Sequence, residues 1–123
     1  MAAGKKLVKD IMTKGAKLVT IGPKDKVADA MKLMVEKKVS GLPVVDGGKV
    51  VGVITEADVL ASPKTKSVKA AMTAEPITIS PTASVKEAAQ LLLDKKIKRA
   101  IVLNDDGSLL GVVSRTDVIK AML

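Results

Sequence analysis

Two hydroxyl residues are each followed, three positions later, by an aspartate. The pairs are Thr55 with Asp58 and Ser114 with Asp117, and each stands where an apolar run ends and a helical pattern begins. A hydroxyl residue at a helix start with an acid three residues on is a capping arrangement, in which side-chain oxygens accept hydrogen bonds from backbone N–H groups. Because many helices that bind nothing have it, the spacing taken alone favours capping over ligand binding.

The residue types that the chain lacks exclude most enzyme classes. It has no histidine and no cysteine, so zinc sites, haem sites, thiolate nucleophiles and Ser-His catalysis lose their usual groups. Its carboxylates form no metal-ligand cluster, and Asp105–Asp106–Gly107 lacks the other acids of a calcium loop. No Gly-Lys-Ser/Thr follows the glycines to form a phosphate loop. We therefore predict no catalytic residue and no metal site.

Composition indicates a folded, lysine-rich chain. Of its 123 residues 47% are hydrophobic, and the formal net charge is +8, a balance that attracts anions. No apolar run approaches the ~20 residues that span a bilayer. The first residues lack the apolar stretch of a signal peptide, so we expect a cytoplasmic protein. Phe, Trp and Tyr are absent, which favours an engineered or simplified sequence, with a natural protein built on an aliphatic core as the alternative.

The sequence repeats itself once. Three motifs of the first half return in the second at offsets of 58 to 60 residues: Met12–Thr13 as Met72–Thr73, Thr20–Pro23 as Thr78–Pro81, and Gly52–Thr55 as Gly111–Ser114. A period this long, seen twice, indicates a duplicated supersecondary unit rather than a solenoid. We place the two repeats at residues 7–61 and 66–123.

Each repeat predicts the element order β-α-β-β-α. A short strand, Leu18–Ile21 or Ile77–Ile79, precedes a helix, and a hairpin and a final short helix opened by Thr55 or Ser114 follow. The predicted apolar helix faces are Val27, Ala30, Met31, Met34 and Val35, and Val85, Ala88, Ala89, Leu92 and Leu93. Because one copy leaves a sheet face uncovered, we predict an α/β (α+β) fold of two repeats packed sheet to sheet with pseudo-twofold symmetry.

Six motifs, three in each repeat, together resemble those of a CBS-domain pair, also called a Bateman module. They are Lys9–Thr13, Val39–Asp46 and Gly52–Asp58, then Val68–Thr73, Ile97–Leu103 and Gly111–Asp117. Each motif alone is weak, but their order and spacing recur twice over nearly the whole chain. The resemblance implies a non-catalytic regulatory module for AMP, ADP, ATP or S-adenosylmethionine. It implies no other cofactor.

The same resemblance implies two ligand clefts between the repeats. In the family pattern the final Ser or Thr of the last strand contacts phosphate, and the Asp three residues on holds the ribose hydroxyls. The residues implied for the stronger cleft are Thr13, Val19, Val39, Ser40, Gly41, Lys98, Arg99, Ser114, Thr116 and Asp117. Those implied for the weaker cleft are Thr55, Ala57, Asp58, Thr73, Ile77, Ile97 and Lys98.

The two clefts are expected to differ in charge. Lys98 and Arg99 would face phosphate in the stronger cleft, where an arginine fork matches an anion. A solvated pair of cations at the start of a strand is an equally favoured interpretation. Ser40 and Gly41 hold the matching positions of the first repeat and bring no cation. We expect the cleft with Asp117 to bind more tightly.

Two other functions stay open at this point. A ligand-free structural or engineered scaffold of the same fold agrees with the absence of Phe, Trp, Tyr, His and Cys. A basic nucleic-acid-binding protein agrees with the charge, but the chain has no aromatic residue for base stacking. The resemblance further implies a homodimer and, because no effector domain is present, a separate effector protein. No membrane partner is expected.

Overall fold

A computed structural model describes residues 6–123. The described chain divides into two compact units. One unit comprises the residues up to Leu18 together with Ile77–Leu123, and the other is Val19–Pro76. Each unit therefore joins the hairpin and helices of one repeat to the short segment that leads into the other repeat. The compact units therefore do not coincide with the sequence repeats 7–61 and 66–123, because each unit contains the leading segment of the other repeat.

The structure contains two three-stranded sheets and the helices around them. In chain order the elements are α1 (Val8–Ile11), a 3₁₀ turn (Gly15–Lys17), α2 (Val27–Lys37), β1 (Gly41–Asp46), β2 (Lys49–Thr55), α3 (Glu56–Leu60), α4 (Val68–Ala71), β3 (Thr73–Ala74), β4 (Thr78–Ile79), α5 (Val85–Asp94), β5 (Arg99–Leu103), β6 (Leu109–Ser114) and α6 (Arg115–Met122). The predicted mixed α+β class, both main helices and both hairpins are confirmed.

The unit Val19–Pro76 contains an antiparallel sheet in the order β1-β2-β3. Gly47 and Gly48 join β1 to β2 with φ angles of 57° and 83°. Two successive positive φ angles are what a tight hairpin turn requires, and glycine adopts them without a steric penalty. One core cluster fills the unit: Ile21, Val27, Ala30, Met34, Leu42, Val44, Ile54, Val59 and Val68.

The strand predicted at Leu18–Ile21 is wrong in its extent. Only Ile21 pairs with the sheet, through an isolated parallel bridge to Val44 of β1. Its N–H donates to Pro43 O at 3.1 Å and its carbonyl accepts from Val45 N–H at 2.9 Å. The Gly22–Pro23 turn follows at once, so the chain leaves the sheet after one residue. In the second repeat the matching strand, β4, is present and runs parallel to β5.

The other unit has its sheet in the order β4-β5-β6. Its core cluster is again aliphatic and comprises Val8, Ala83, Val85, Ala88, Leu92, Ala100, Val102, Val113, Val118 and Ala121. Val8 is fully buried here, and Val68 is fully buried in the core of the unit Val19–Pro76. The helices α1 and α4, which the sequence analysis did not predict, thus each supply one valine to a core built mainly from the other repeat.

The predicted apolar faces of α2 and α5 are too wide by one residue each. Val27, Ala30 and Met34 are buried in α2, but Val35 is 78% exposed. Leu93, its counterpart in α5, is 62% exposed. At about 100° per residue, each lies at the border of the apolar stripe, turned away from the buried positions. Within residues 6–123, no helix has the length and apolar character to cross a membrane.

Two glycines let the leading segments pair with the last strand of each hairpin. A Cβ at Gly111 of β6 would lie 2.6 Å from Thr13 O, and one at Gly52 of β2 would lie 2.7 Å from Thr73 O. Thr13 exchanges both backbone hydrogen bonds with Val112, at 2.8 and 3.0 Å, and Thr73 is register-paired with Val53. Glycine at these positions thus brings a threonine alongside each hairpin.

We expect Gly111→Ala to destabilise the protein. The new methyl group would overlap the Thr13 carbonyl and the Met12 sulfur, 2.6 and 2.8 Å away. Overpacking of this kind costs roughly 1–3 kcal/mol. Gly22→Ala is the matched control, because its Cβ would meet Asp25 Oδ2 at an ordinary 3.4 Å. Urea denaturation measures both variants, and equal free energies of unfolding would contradict the close-approach explanation.

Candidate functional site

Ser114 and Asp117 form a complete capping box at the start of α6. The Asp117 N–H donates to Ser114 Oγ at 3.1 Å, and the Ser114 N–H donates to Asp117 Oδ2 at 2.9 Å. Both residues are half-buried. Among the residues that the structure describes, Asp117 Oδ1 accepts no hydrogen bond. The capping prediction is confirmed, and one carboxylate oxygen is left over after capping.

Thr55 and Asp58 repeat this arrangement at the start of α3. The Thr55 N–H donates to Asp58 Oδ2 at 2.9 Å, and the Asp58 N–H donates to Thr55 Oγ1 at 3.3 Å. Here a third residue joins the box, since Thr73 Oγ1 donates to Asp58 Oδ2 at 3.4 Å. Thr73 comes from the segment leading into the second repeat, so pairing of β3 with β2 brings three predicted site residues together within one unit.

Strand register fixes which residues flank each box. Arg99 is paired with Ser114 across β5 and β6, and Lys98 O accepts from the Arg115 N–H at 3.0 Å. The Lys98–Arg99 pair therefore lies next to the Ser114–Asp117 box in the same unit. The arrangement joins two cations to a helix N-terminus and a carboxylate, a combination suited to an anionic ligand that also has hydroxyl groups.

The first repeat has the same register with different residues. Gly41 is paired with Thr55, and Ser40 O accepts from the Glu56 N–H at 3.1 Å. Ser40–Gly41 thus stands in its own unit where Lys98–Arg99 stands in the other. The two pairs thus have matching backbone positions, while the expected difference in charge between the two clefts stays a prediction.

The remaining predicted residues fall into two groups. Thr13, half-buried beside Val112, and Thr116, exposed in the first turn of α6, lie in the same unit as the Ser114–Asp117 box. Ala57 lies in the first turn of α3. By contrast, Val19 and Val39 pack against the core of the unit Val19–Pro76, and Ile97 packs against the core of the other unit.

The structure thus brings the predicted residues together unit by unit. Thr13, Lys98, Arg99, Ser114, Thr116 and Asp117 share one unit with Ile77 and Ile97, while Thr55, Ala57, Asp58 and Thr73 share the other with Val19, Val39, Ser40 and Gly41. The division of these residues between a stronger and a weaker cleft stays a prediction from the resemblance. No group of three or more acidic side chains able to hold a metal ion occurs within residues 6–123.

One residue of this region was missed by the sequence analysis. Arg115, between the N-cap Ser114 and Thr116, donates from Nε to Ile97 O at 2.9 Å and from Nη2 to Leu92 O at 3.3 Å. Its guanidinium therefore binds the turn between α5 and β5. The sequence held no signal for this contact, because an arginine in a first helical turn is commonly solvated and its carbonyl partners lie 18 and 23 residues away.

The doubled hairpin-and-capping-box arrangement is that of a known family. The CBS domain family model matches residues 8–64 and again 68–123. The chain therefore belongs to the CBS domain family and contains a tandem pair of these domains.

Several relatives share this pair. The chain is 33% identical over 150 residues to the chloroplastic CBS domain-containing protein CBSX2 of Arabidopsis thaliana, an alignment that covers 94% of this chain and 63% of CBSX2. It is 39% identical over 102 residues to inosine-5'-monophosphate dehydrogenase of Korarchaeum cryptofilum, covering 82% of this chain but only 21% of the enzyme. The chain thus spans about a fifth of the dehydrogenase.

Solved structures show the same fold. A crystal structure of CBSX2 in complex with AMP matches with a TM-score of 0.88 and 36% identity over 94% of both chains. The CBS domain pair of protein MJ0100, in complex with 5'-methylthioadenosine and S-adenosyl-L-methionine, matches with a TM-score of 0.85 and 28% identity over 94% of both chains. Recognition of a CBS-domain pair from the sequence is confirmed.

We expect Ser114→Ala to lower the stability of the protein. The substitution leaves the Asp117 N–H without the hydroxyl that accepts its hydrogen bond at 3.1 Å. Loss of an N-cap hydroxyl costs about 1 kcal/mol. Thr116→Ala, two residues along the same helix and exposed, should change the free energy of unfolding by less than about 0.5 kcal/mol. Thermal denaturation compares the two, and equal shifts would contradict a capping role for Ser114.

Proposed function

We propose that this chain is a non-catalytic regulatory module that binds an adenine nucleotide, namely AMP, ADP or ATP, or S-adenosylmethionine. One observation carries the proposal: the Asp117 carboxylate caps α6 with Oδ2 and has no hydrogen bond to Oδ1 among the described residues. That oxygen lies at a helix N-terminus beside a lysine–arginine pair. The relatives solved with AMP and with S-adenosylmethionine support the same class of ligand.

Each polar group has a role that its chemistry fits. Asp117 accepts hydrogen bonds from the ribose hydroxyls, since a carboxylate has more acceptor sites than capping uses. Ser114 and the N-terminal end of α6 face the phosphate, where the helix dipole favours negative charge. Lys98 and Arg99 supply charge-assisted hydrogen bonds to the phosphate oxygens. Thr13, paired with Val112, and Thr116, in the first turn of α6, add two hydroxyl groups.

The Asp117 half-site is the stronger of the two. It includes Lys98 and Arg99, whereas the first repeat has Ser40 and Gly41 at the same register positions. In the first repeat, moreover, Thr73 already donates to the Asp58 carboxylate at 3.4 Å. That contact uses Oδ2, the oxygen that also caps α3, so it leaves Asp58 Oδ1 as the other capping box leaves Asp117 Oδ1. The difference in charge therefore favours tighter binding at Asp117.

The regulatory output follows from differential affinity. A ligand that binds one conformation of the module more tightly shifts its population toward that conformation, and a partner that distinguishes the conformations reads the shift. We infer that the reader is a separate effector protein or another part of a longer chain, since this chain spans only 21% of the dehydrogenase relative. We further infer a cytoplasmic location.

Isothermal titration of AMP, ADP, ATP and S-adenosylmethionine tests the proposal on the wild type and on Asp117→Ala. We expect saturable binding to the wild type at moderate salt. Removal of the ribose acceptor should cost roughly 1.5–3 kcal/mol, the range for hydrogen bonds to a charged group. The dissociation constant would then rise roughly ten- to a hundredfold.

The matched control is Asp29→Ala. Asp29 accepts from the Lys26 N–H at 2.9 Å at the start of α2, which is the bond that Asp117 makes at α6, and it lies outside the predicted site. Both variants lose the same capping contact, so only Asp117→Ala should also lose ligand. Equal loss of binding in both variants would assign the effect to stability. No binding to the wild type would favour a ligand-free scaffold in which Ser114 and Asp117 only cap a helix.

We also propose that the chain forms a homodimer. Several helices carry exposed apolar side chains, namely Val35, Leu60, Leu93, Ile119 and Met122, and burial of apolar surface is the main driving force for protein association. Sedimentation equilibrium should give the mass of two chains. Ile119→Lys should shift the mass toward one chain, while Lys120→Met on the same helix should not. A wild-type mass of one chain at all concentrations would overturn this proposal.

A further inference from the structure

Arg115, in the first turn of α6, binds with its side chain to backbone carbonyls distant in the sequence. Its Nε donates to Ile97 O at 2.9 Å and its Nη2 donates to Leu92 O at 3.3 Å. Its own N–H donates to Lys98 O at 3.0 Å. One residue thus holds the end of α5 and two consecutive carbonyls, those of Ile97 and Lys98.

The carbonyls of Ile97 and Lys98 belong to the two peptide groups that flank Lys98, and Arg99 follows directly. The turn between α5 and β5 has Lys96 in the left-handed region, with φ of 55°, and the Ile97 N–H donates to Leu92 O at 3.1 Å. Leu92 O therefore accepts from both Ile97 and Arg115. Because the peptides on either side of Lys98 are fixed by Arg115, the directions in which Lys98 and Arg99 leave the backbone are fixed as well.

The first repeat has the same turn without this clamp. Lys38 adopts φ of 55°, the Val39 N–H donates to Met34 O at 3.1 Å, and the Glu56 N–H donates to Ser40 O at 3.1 Å. Glu56 stands where Arg115 stands, and a carboxylate has no N–H group to donate to a carbonyl. The turn thus forms without an arginine, so folding of the turn alone does not account for Arg115.

We propose that Arg115 is a positioning residue for phosphate recognition, which acts through Lys98 and Arg99 rather than on the ligand. The inference rests on the proposed adenine-nucleotide function and adds a basis for its specificity. Both repeats make the backbone bond to Lys98 O or Ser40 O, and the Arg115 side chain holds the turn at two further carbonyls. Both cations then have less conformational freedom, so less entropy is lost when phosphate binds. The clamp makes the Asp117 half-site selective for ligands that carry phosphate.

Titrations of adenosine and ATP with Arg115→Met test this role. Adenosine has the ribose and base but no phosphate, so its affinity should change less than about twofold, the scale of a contact worth a few tenths of a kcal/mol. ATP affinity should fall about five- to tenfold, as for the loss of one positioned charge interaction. Arg115→Lys should restore only part of it, because an ammonium lacks the planar fork. Lys120→Met, the same charge change in the same helix, should change neither.

A double-mutant cycle separates positioning from direct contact. In a background of Lys98→Met with Arg99→Met, Arg115→Met should have little further effect on ATP affinity, because the groups it positions are gone. An undiminished effect in that background would show that Arg115 binds the phosphate itself and would overturn the proposal. Equal losses for adenosine and ATP would overturn it too, since they would indicate general destabilisation.

Amide hydrogen exchange distinguishes failure of this inference from failure of the proposed function. Arg115→Met should increase exchange at residues 97–99 relative to the rest of β5, without any ligand present. Unchanged exchange with intact ATP binding would overturn the positioning role and leave nucleotide binding standing. Absence of ATP binding to the wild type would overturn both, whatever the exchange shows.

Discussion

The rest of the structure depends on the close approach of a second backbone segment to the last strand of each hairpin. At Gly111 and Gly52 the neighbouring carbonyls lie where a Cβ would be, 2.6 and 2.7 Å away, so only glycine permits the pairing. Each paired segment starts with a short helix whose valine, Val8 or Val68, is fully buried in the core of that unit. A hairpin repeat without its leading segment would therefore lack both a strand neighbour and a piece of its core.

This pairing also decides where the polar groups lie. The hairpin register places the residue that opens β5 opposite the N-cap of α6, while the leading segment approaches β6 from its other side. Hydroxyl, carboxylate and cationic groups from three stretches of sequence thus reach the same end of one sheet. Backbone hydrogen bonds hold the strands in the register that brings these groups together.

Local patterns in the sequence predicted the elements with strong periodicity and missed those made by tertiary pairing. The helices at Val27–Lys37 and Val85–Asp94, the hairpins and the capping boxes follow from spacing and turn chemistry. The two-residue strand Thr73–Ala74 exists only because it meets β2, and four-residue helices carry too little periodicity to be predicted. For the same reason Leu18–Ile21, which has strand-like residues, pairs at Ile21 alone.

The capping boxes reconcile the two readings that the sequence left open. Capping uses one carboxylate oxygen of Asp117 and one of Asp58, so helix stability does not depend on whether a ligand occupies the other. The two repeats differ at positions where either residue allows the same backbone structure. Lys98–Arg99 and Ser40–Gly41 each lie at the start of the first hairpin strand, and Arg115 and Glu56 each follow the N-cap residue. The backbone bonds at these positions are the same in both units although the side chains differ. Under the proposed function, ligand preference therefore depends on a few residues that differ between two repeats of the same backbone. The family could be recognised from the motifs that the repeats share, whereas the contacts of Arg115 could not be predicted, because its partners are distant in sequence.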